Sequence, residues 1–450
     1  MTEFSKLSIE DMLDPKGFEC ACGHRHASEL RVFHSGAGAI KKLPETLAAL
    51  GAVHPFVVCD RNTHRAAGER VEALLRAANI PYKLFIIPRE AVEPDEWAVG
   101  AITMALDPAC DLVLAVGSGV INDLCKVVAF AAGKPQAVVA TAPSMDGYAS
   151  SSSSMHVNEV KTTVYNACPA AIIADTDILA EAPMRMLWAG FGDMIAKYVS
   201  LCEWRISNLV TGEYYCEEVA RLVRRSVKSI VDNADKITSR DPQVVQAITE
   251  GLVLSGVAMS FAGTSRPASG LEHYFSHLWE MMAMERHEHA DLHGIQVGVG
   301  TLVTLKLYDW IRTIVPDRER GMAAMAAFDE AAWADMVRRV FGTIAPQILE
   351  IEEKTRKNDP ARHAARLDKI VDHWDRILGF IEDELPDTAH IADLMRGMGA
   401  PMTPAALGIS DQDAKNAYTG AREIRDKYLC CSMLWDLGLA EEARARVSAE

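Results

Sequence analysis

The chain has 450 residues, 49% of them apolar and 24% charged, and a net charge of −16. That balance belongs to a globular protein long enough for two or three domains. It excludes a general affinity for nucleic acid or an anionic membrane, and leaves room for one small anionic substrate in a locally positive pocket.

No apolar run approaches the roughly 20 residues of a membrane span. The opening MTEFSKLSIEDMLD is acidic and lacks an apolar segment, so no signal peptide is expected and a cytoplasmic location is the default. Ten cysteines are then read as reduced thiols, mostly core filler. The exception is Cys20-Ala-Cys22-Gly-His24-Arg-His26, which reads either as a turn or surface hairpin or as an accessory metal site. Cys-x-Cys is tighter than the usual zinc spacing, and no second ligand pair follows nearby.

From 27 to 180, strand and helix patterns alternate. HPFVVCD (54–60), YKLFIIP (82–88), CDLVLAVGSG (110–119), KPQAVVATAPS (134–144) and PAAIIADTDIL (169–179) read as buried strands. Residues 65–80 and 95–106 have helical periodicity. This alternation predicts a mostly parallel sheet flanked by helices, an α/β Rossmann-like domain over 1–180. Ser150–Ser154 reads as a loop or hairpin near the ligand, or as a linker. Beyond 181 long helical patterns take over, at 185–206, 213–234, 294–315 and, highly charged, 359–384. An all-helical second domain over 181–450 is expected, with apolar faces wide enough for a homo-oligomer.

Strand 110–117 delivers the chain to Gly117-Ser118-Gly119 and a helix beginning Val120-Ile121-Asn122-Asp123. Such a turn lets a phosphate approach the backbone at a helix N-terminus, or is a plain strand–helix turn. Asp60, ending an earlier strand, suits an adenosine ribose, and Arg61 beside it tolerates a 2′-phosphate, so NAD and NADP both remain open. Thr141-Ala142-Pro143-Ser144 and Asp146 to Ser150 follow another strand, as a ligand loop or an ordinary turn. Asp193 starts a helix as a ligand or a cap. His273 and His277 share one helix face, and His293 competes with His287 and His289. Two histidines and a carboxylate suit zinc, iron or nickel, with a position left open for substrate.

Together VGSGVINDLCK, TAPSMDGYAS, ADTDILAEAPMRMLWAGFGDMIAK, SRPASGLEHYFSH and LHGIQVGVGT resemble the iron-containing alcohol dehydrogenase and glycerol dehydrogenase superfamily, and within it the sn-glycerol-1-phosphate dehydrogenases. The resemblance spans about residues 30–310. It implies an active site in the cleft between the two domains. It implies NAD(P) contacts from Asp60, Gly117 through Asp123, Thr141 through Ser144 and Ser150. It also implies one divalent metal on Asp193, His273 and His293, with Asp146, His277 and also Asp193 on the substrate. The implied reaction is reduction of dihydroxyacetone phosphate; Arg266, seven residues before His273, reads either as a partner for that phosphate or as a surface ion pair, and Lys161 is a second candidate. An unphosphorylated polyol substrate and a dehydroquinate synthase-like lyase are the alternatives. A non-haem iron oxygenase would need no nucleotide segment. Residues 350–385 read as extra helical material.

Overall fold

The computed structural model describes residues 3, 6–158 and 160–450. A short hairpin, β1 (Phe18–Glu19) and β2 (Arg25–His26), precedes the main sheet. The sheet contains β3 (Val32–Gly36), β4 (Pro55–Cys59), β5 (Lys83–Ile86), β6 (Leu112–Gly117) and β7 (Gln136–Ala140). A hairpin of β8 (Ser152–Val157) and β9 (Val160–Tyr165) then interrupts before β10 (Ala171–Asp175) returns to the sheet. The strand order is β3-β10-β7-β6-β4-β5, parallel throughout.

The strand residues explain this arrangement. Those of β4, β6, β7 and β10 are buried without alternation. Unbroken apolar runs suit strands covered by helices on both faces. Asp60, Ser118 and Thr141 follow the carboxyl ends of β4, β6 and β7, three adjacent strands. The chain leaves β4 toward one edge and β6 toward the other, so the order reverses between Asp60 and Gly117. Open α/β sheets bind ligands beside such a reversal. Ser150–Ser154 lies at the start of the β8–β9 hairpin.

The chain divides into two compact units, Met1–Met194 with Cys216–Ser265, and Ile195–Tyr215 with Arg266–Glu450. The boundary expected near 181 follows the change from strands to helices. Compactness instead groups helices Glu217–Val231 and Pro242–Ala262 with the sheet. The physical reason is packing: helix Pro242–Ala262 lies against β2, β3 and Asp146–Ala149. That helix is also long and apolar enough to cross a membrane, with mean hydropathy 1.5, contrary to the expectation that no segment would be; but 72% of the qualifying window is buried. It is a core helix.

In the second unit, helix Leu271–Glu285 packs on helix His293–Ile311 and on Asp411–Ala421. Helix His293–Ile311 is apolar around most of its circumference because neighbours cover most of it, leaving Lys306 and Asp309 exposed. The expected helix over 359–384 is two helices, Pro360–Asp372 and Trp374–Glu384, broken at His373.

Candidate active site

In the first unit the loop after β7 is built into the protein at several points. Helix Met184–Thr211 approaches it so closely that a Cβ on Gly190 would lie 2.0 Å from the Pro143 carbonyl oxygen. Tyr148 donates its hydroxyl to the Ala142 carbonyl at 2.7 Å. Asp146 and Asp193 meet here: the Asp146 N–H donates to Asp193 Oδ2 at 2.8 Å, and Asp146 Oδ2 accepts from the Ser255 hydroxyl at 2.9 Å. Asp193 is fully buried within a long helix rather than at its start, so a capping role does not explain it.

The turn from β6 into helix Gly119–Ala131 has the expected form. Gly117 is dictated by its own helix, since a Cβ there would lie 2.5 Å from Ile121 Cβ. Ser118 stands at the N-cap without a side-chain capping bond, its hydroxyl 3.2 Å from that of Ser144. The helix N-terminus thus keeps its first-turn N–H groups for an anion. Val120 is part of that first turn.

Three polar residues expected on the cofactor are spent on protein partners. Asn122 is buried and donates to the Gly147 carbonyl at 3.3 Å while Gln136 donates to its Oδ1 at 3.2 Å. Asp123 Oδ2 accepts the Ser154 N–H at 2.9 Å, and burial pushes its carboxyl up against the opposing pull of Lys126. The Ser150 hydroxyl donates to the Ser152 carbonyl at 2.9 Å. These side chains hold the loop and the β8–β9 hairpin in place. Asp60 Oδ1 takes the N–H groups of Asn62 and Thr63, each at 2.7 Å, and so caps a short helix as well as ending β4.

Lys126, missed in the sequence, organises this region. Its ammonium is fully buried and donates to the Gly147 carbonyl at 2.6 Å, the Ser152 carbonyl at 2.9 Å and the Ser150 hydroxyl at 3.1 Å. A lysine on an otherwise apolar helix face was the available signal.

In the second unit the histidines converge. The rings of His273 and His277 each lie 5.5 Å from that of His293, the first residue of its helix. Buried His273 places Nδ1 2.8 Å from Glu272 Oε1, and His293 places Nδ1 3.0 Å from the Ser276 hydroxyl and 3.3 Å from Glu280 Oε1. A ring whose Nδ1–H is held by a carboxylate presents Nε2 as a metal donor and becomes a stronger base. Glu272, Ser276 and Glu280 were also missed. Ser276 and Glu280 follow His273 by three and seven residues, the spacing of one helix face. His287 and His289 lie exposed in the connecting loop. His277, Glu280 and His293 form a second possible metal group, with donor atoms within 4.8 Å of one another.

Behind Glu272, Glu203 accepts the N–H groups of Leu271 and Cys430 at 2.9 and 2.8 Å. Burial and then the charge of Glu272 push its carboxyl up to about 8.

Arg266 forms an ion pair, the alternative reading to a phosphate site. Its guanidinium is buried, donates from Nε and Nη2 to the two carboxylate oxygens of Glu213 at 2.8 and 2.6 Å, and donates to the Ser207 hydroxyl at 3.0 Å. A bidentate pair of this kind holds both groups firmly in place. Arg266→Met should therefore lower stability by about 3 kcal/mol, the cost of stranding a largely buried carboxylate, while leaving KM for a phosphorylated substrate unchanged. Urea midpoints and KM measured together test this, and a selective KM increase would return Arg266 to the phosphate. Lys161 lies on β9 and acts on Asp123 electrostatically.

Two other cations of the second unit reach the segment between Arg266 and His273. Lys197 is buried and donates to the Ala268 carbonyl at 3.1 Å, and Lys427 donates to the Ser269 carbonyl at 3.2 Å. Burial, then the charge of Arg266, pushes the Lys427 ammonium down to about 7.

Comparison with known proteins places these features in a family. A family model described as iron-containing alcohol dehydrogenase matches residues 34–183. A glycerol-1-phosphate dehydrogenase [NAD(P)+] of Halalkalibacterium halodurans is 31% identical over 423 residues, covering 93% of this chain and 95% of that protein. The chain belongs to the glycerol-1-phosphate dehydrogenase family. Another of that description, from Hyperthermus butylicus, is 37% identical over 65% of this chain and 82% of its own. Among solved structures, the glycerol dehydrogenase of Schizosaccharomyces pombe superposes with a TM-score of 0.61 at 16% identity, covering 93% of this chain and 90% of its own. At that identity the likeness concerns the fold, an α/β sheet domain followed by helices, and it agrees with the family assignment.

Proposed function

We propose that this member of the glycerol-1-phosphate dehydrogenase family reduces dihydroxyacetone phosphate to sn-glycerol 1-phosphate with NAD(P)H, reversibly. The observation that carries this reading is the match along 95% of a relative described by that activity. Asp193, His273 and His293 offer one carboxylate and two imidazole donors for a divalent metal, and the Nδ1 partners of both histidines fit that duty. Zinc, nickel and iron all suit such a set. When bound, the cation supplies Lewis-acid polarisation of the carbonyl and NAD(P)H supplies the hydride.

The chain's own residues do the rest. Ser118 and the N-terminus of its helix receive the cofactor's phosphates, with Asp60 toward a ribose. Asp146 orients the substrate hydroxyl. His277 delivers the proton that the reduced oxygen gains. Lys197 and Lys427 replace Arg266 as the cations for the substrate phosphate. The substrate is a small molecule handled in a cytoplasmic homo-oligomer.

The test is NADH and NADPH oxidation with dihydroxyacetone phosphate and with dihydroxyacetone, after chelation and metal add-back. Activity on the phosphorylated substrate alone supports the reading, and equal rates on both favour a polyol dehydrogenase. Nicotinamide turnover with neither substrate under any metal sinks it.

The Lys427 assignment predicts a pH dependence. The folded amine is cationic below about 7 and neutral above it. Affinity for a phosphate is then greatest at low pH, and kcat/KM should fall as pH rises through that value, by at most about tenfold per unit for one proton. Proton delivery by His277 acts on both substrates alike, so this limb is read in the ratio of kcat/KM for dihydroxyacetone phosphate to that for dihydroxyacetone, and Lys427→Met should abolish it there. Persistence of the limb in Lys427→Met removes Lys427 from the phosphate.

A further inference from the structure

The N-terminal hairpin contains a four-donor cluster that the dehydrogenase chemistry does not use. Cys20 and Cys22 sit in the turn between β1 and β2, and His26 ends β2. The fourth residue, Cys216, comes from the N-cap of helix Glu217–Val231. All four belong to the first unit. Cys20 Sγ lies 3.6 Å from Cys216 Sγ; His26 Nε2 lies 3.3 Å from Cys22 Sγ and 3.6 Å from Cys216 Sγ. All four donor atoms fall within 4.8 Å of one another.

These separations are those of ligands around one ion. Zinc–sulfur bonds of about 2.3 Å and zinc–nitrogen bonds of about 2.0 Å, arranged tetrahedrally, put neighbouring donors roughly 3.4–3.8 Å apart. A disulfide would need about 2 Å between sulfurs. The imidazole is also set for coordination. His26 is fully buried and its Nδ1 lies 2.6 Å from the Phe261 carbonyl oxygen, so Nδ1 carries the proton and Nε2 faces the thiols. A backbone carbonyl behind a ligating histidine is the usual support of a metal site. The Phe261 ring lies 5.6 Å from the imidazole and 6.4 Å from Phe18, covering one side.

The hairpin itself needs an anchor. Two strands of two residues cannot hold together in water. Gly23, at φ +85°, turns the chain between the cysteines and the histidine, and its N–H donates to the Cys20 carbonyl at 3.1 Å. Nothing in so short a ladder would by itself keep three thiols and an imidazole converged.

We propose that Cys20, Cys22, His26 and Cys216 bind a structural zinc ion that ties the N-terminal hairpin to helix Glu217–Val231. Four protein donors close the coordination shell and leave no position for substrate, so this site is structural. Binding displaces the thiol protons, and affinity weakens as pH falls. The cross-link joins residues about 190 apart, and closing so long a loop restricts the unfolded chain strongly.

The experiment uses the full-length protein purified with zinc, then exchanged with Co²⁺. Three thiolates on cobalt give an intense ligand-to-metal charge-transfer band in the near ultraviolet. A centre of two imidazoles and a carboxylate gives none, so the signal is independent of the proposed catalytic metal. The band should appear in the parent, persist in His273→Ala and vanish in Cys22→Ser and Cys216→Ser, each with the loss of one metal equivalent per chain. Should those variants not fold, zinc X-ray absorption of the parent decides: a sulfur-rich first shell supports the site. A sulfur-free zinc shell, absence of the cobalt band in the parent, or a Cys20–Cys216 disulfide in metal-free protein overturns it.

Discussion

His273→Ala is expected to remove one equivalent of divalent metal and to lower kcat/KM for dihydroxyacetone phosphate by roughly 10³-fold, while NADH binding changes little. The magnitude follows from the chemistry proposed: Lewis-acid stabilisation worth about 4 kcal/mol is a factor of about 10³. The choice of His273 follows from its environment. It is buried, and Glu272 Oε1 at 2.8 Å holds its Nδ1. Cofactor contacts are assigned to the first unit, around Ser118, so they are spared. A competing set exists in His277, Glu280 and His293. Metal analysis of two variants separates them. If His273→Ala keeps its metal and Glu280→Gln loses it, the ion sits on the competing set. Glu280→Gln under the favoured assignment removes only a partner of His293, so a loss of metal affinity of about 10–100-fold, rather than loss of the ion, is expected.

Lys126→Met should lower stability by about 3–5 kcal/mol and raise KM for NADH, with little effect on the metal. The methionine keeps the apolar stem but removes the ammonium donor shared by the Gly147 and Ser152 carbonyls and the Ser150 hydroxyl, and takes the paired cation from the buried carboxylate of Asp123. Those groups define the loop after β7, whose start carries Thr141 through Ser144. The deficit should depend on pH. Burial raises the Asp123 carboxyl and the Lys126 charge opposes that rise. Without the lysine the carboxyl rises further, so the variant's folded state binds a proton that the unfolded chain has lost. Its stability relative to the parent then falls as pH increases above the usual carboxylate range. Urea unfolding at pH 5 and pH 8 gives the comparison. A deficit below about 1 kcal/mol, or one that shrinks toward pH 8, would show that Lys126 does not organise the loop.

Much of the fold was legible because its signals are local. The strands β4, β6, β7 and β10 are short apolar runs ended by Asp60, Gly117, Thr141 and Asp175, and each appears within a few residues of its expected place. The break at His373 was invisible because the apolar positions continue in register on both sides, from Leu367 and Ile370 to Trp374 and Ile377. The candidate site was legible in residue type but not in role. Asp123, Asn122 and Ser150 have the polarity of cofactor ligands, and only the folded chain shows that their side chains brace the loop and the hairpin. Arg266 stands seven residues before His273, close enough to suggest a phosphate, yet Glu213 claims it from a distant part of the chain.

By itself the sequence determined the parallel sheet, the turn at Ser118, the long helices and the presence of His273 and His277 on one helix face. Periodicity, turn chemistry and helix geometry act over a few residues, so a linear reading reaches them. Tertiary structure alone decided which charges are committed to one another, that His287 and His289 stay exposed, and that Cys216 joins the hairpin cysteines. Ion pairs and metal sites are set by distance in space, and their partners lie tens to hundreds of residues apart along the chain.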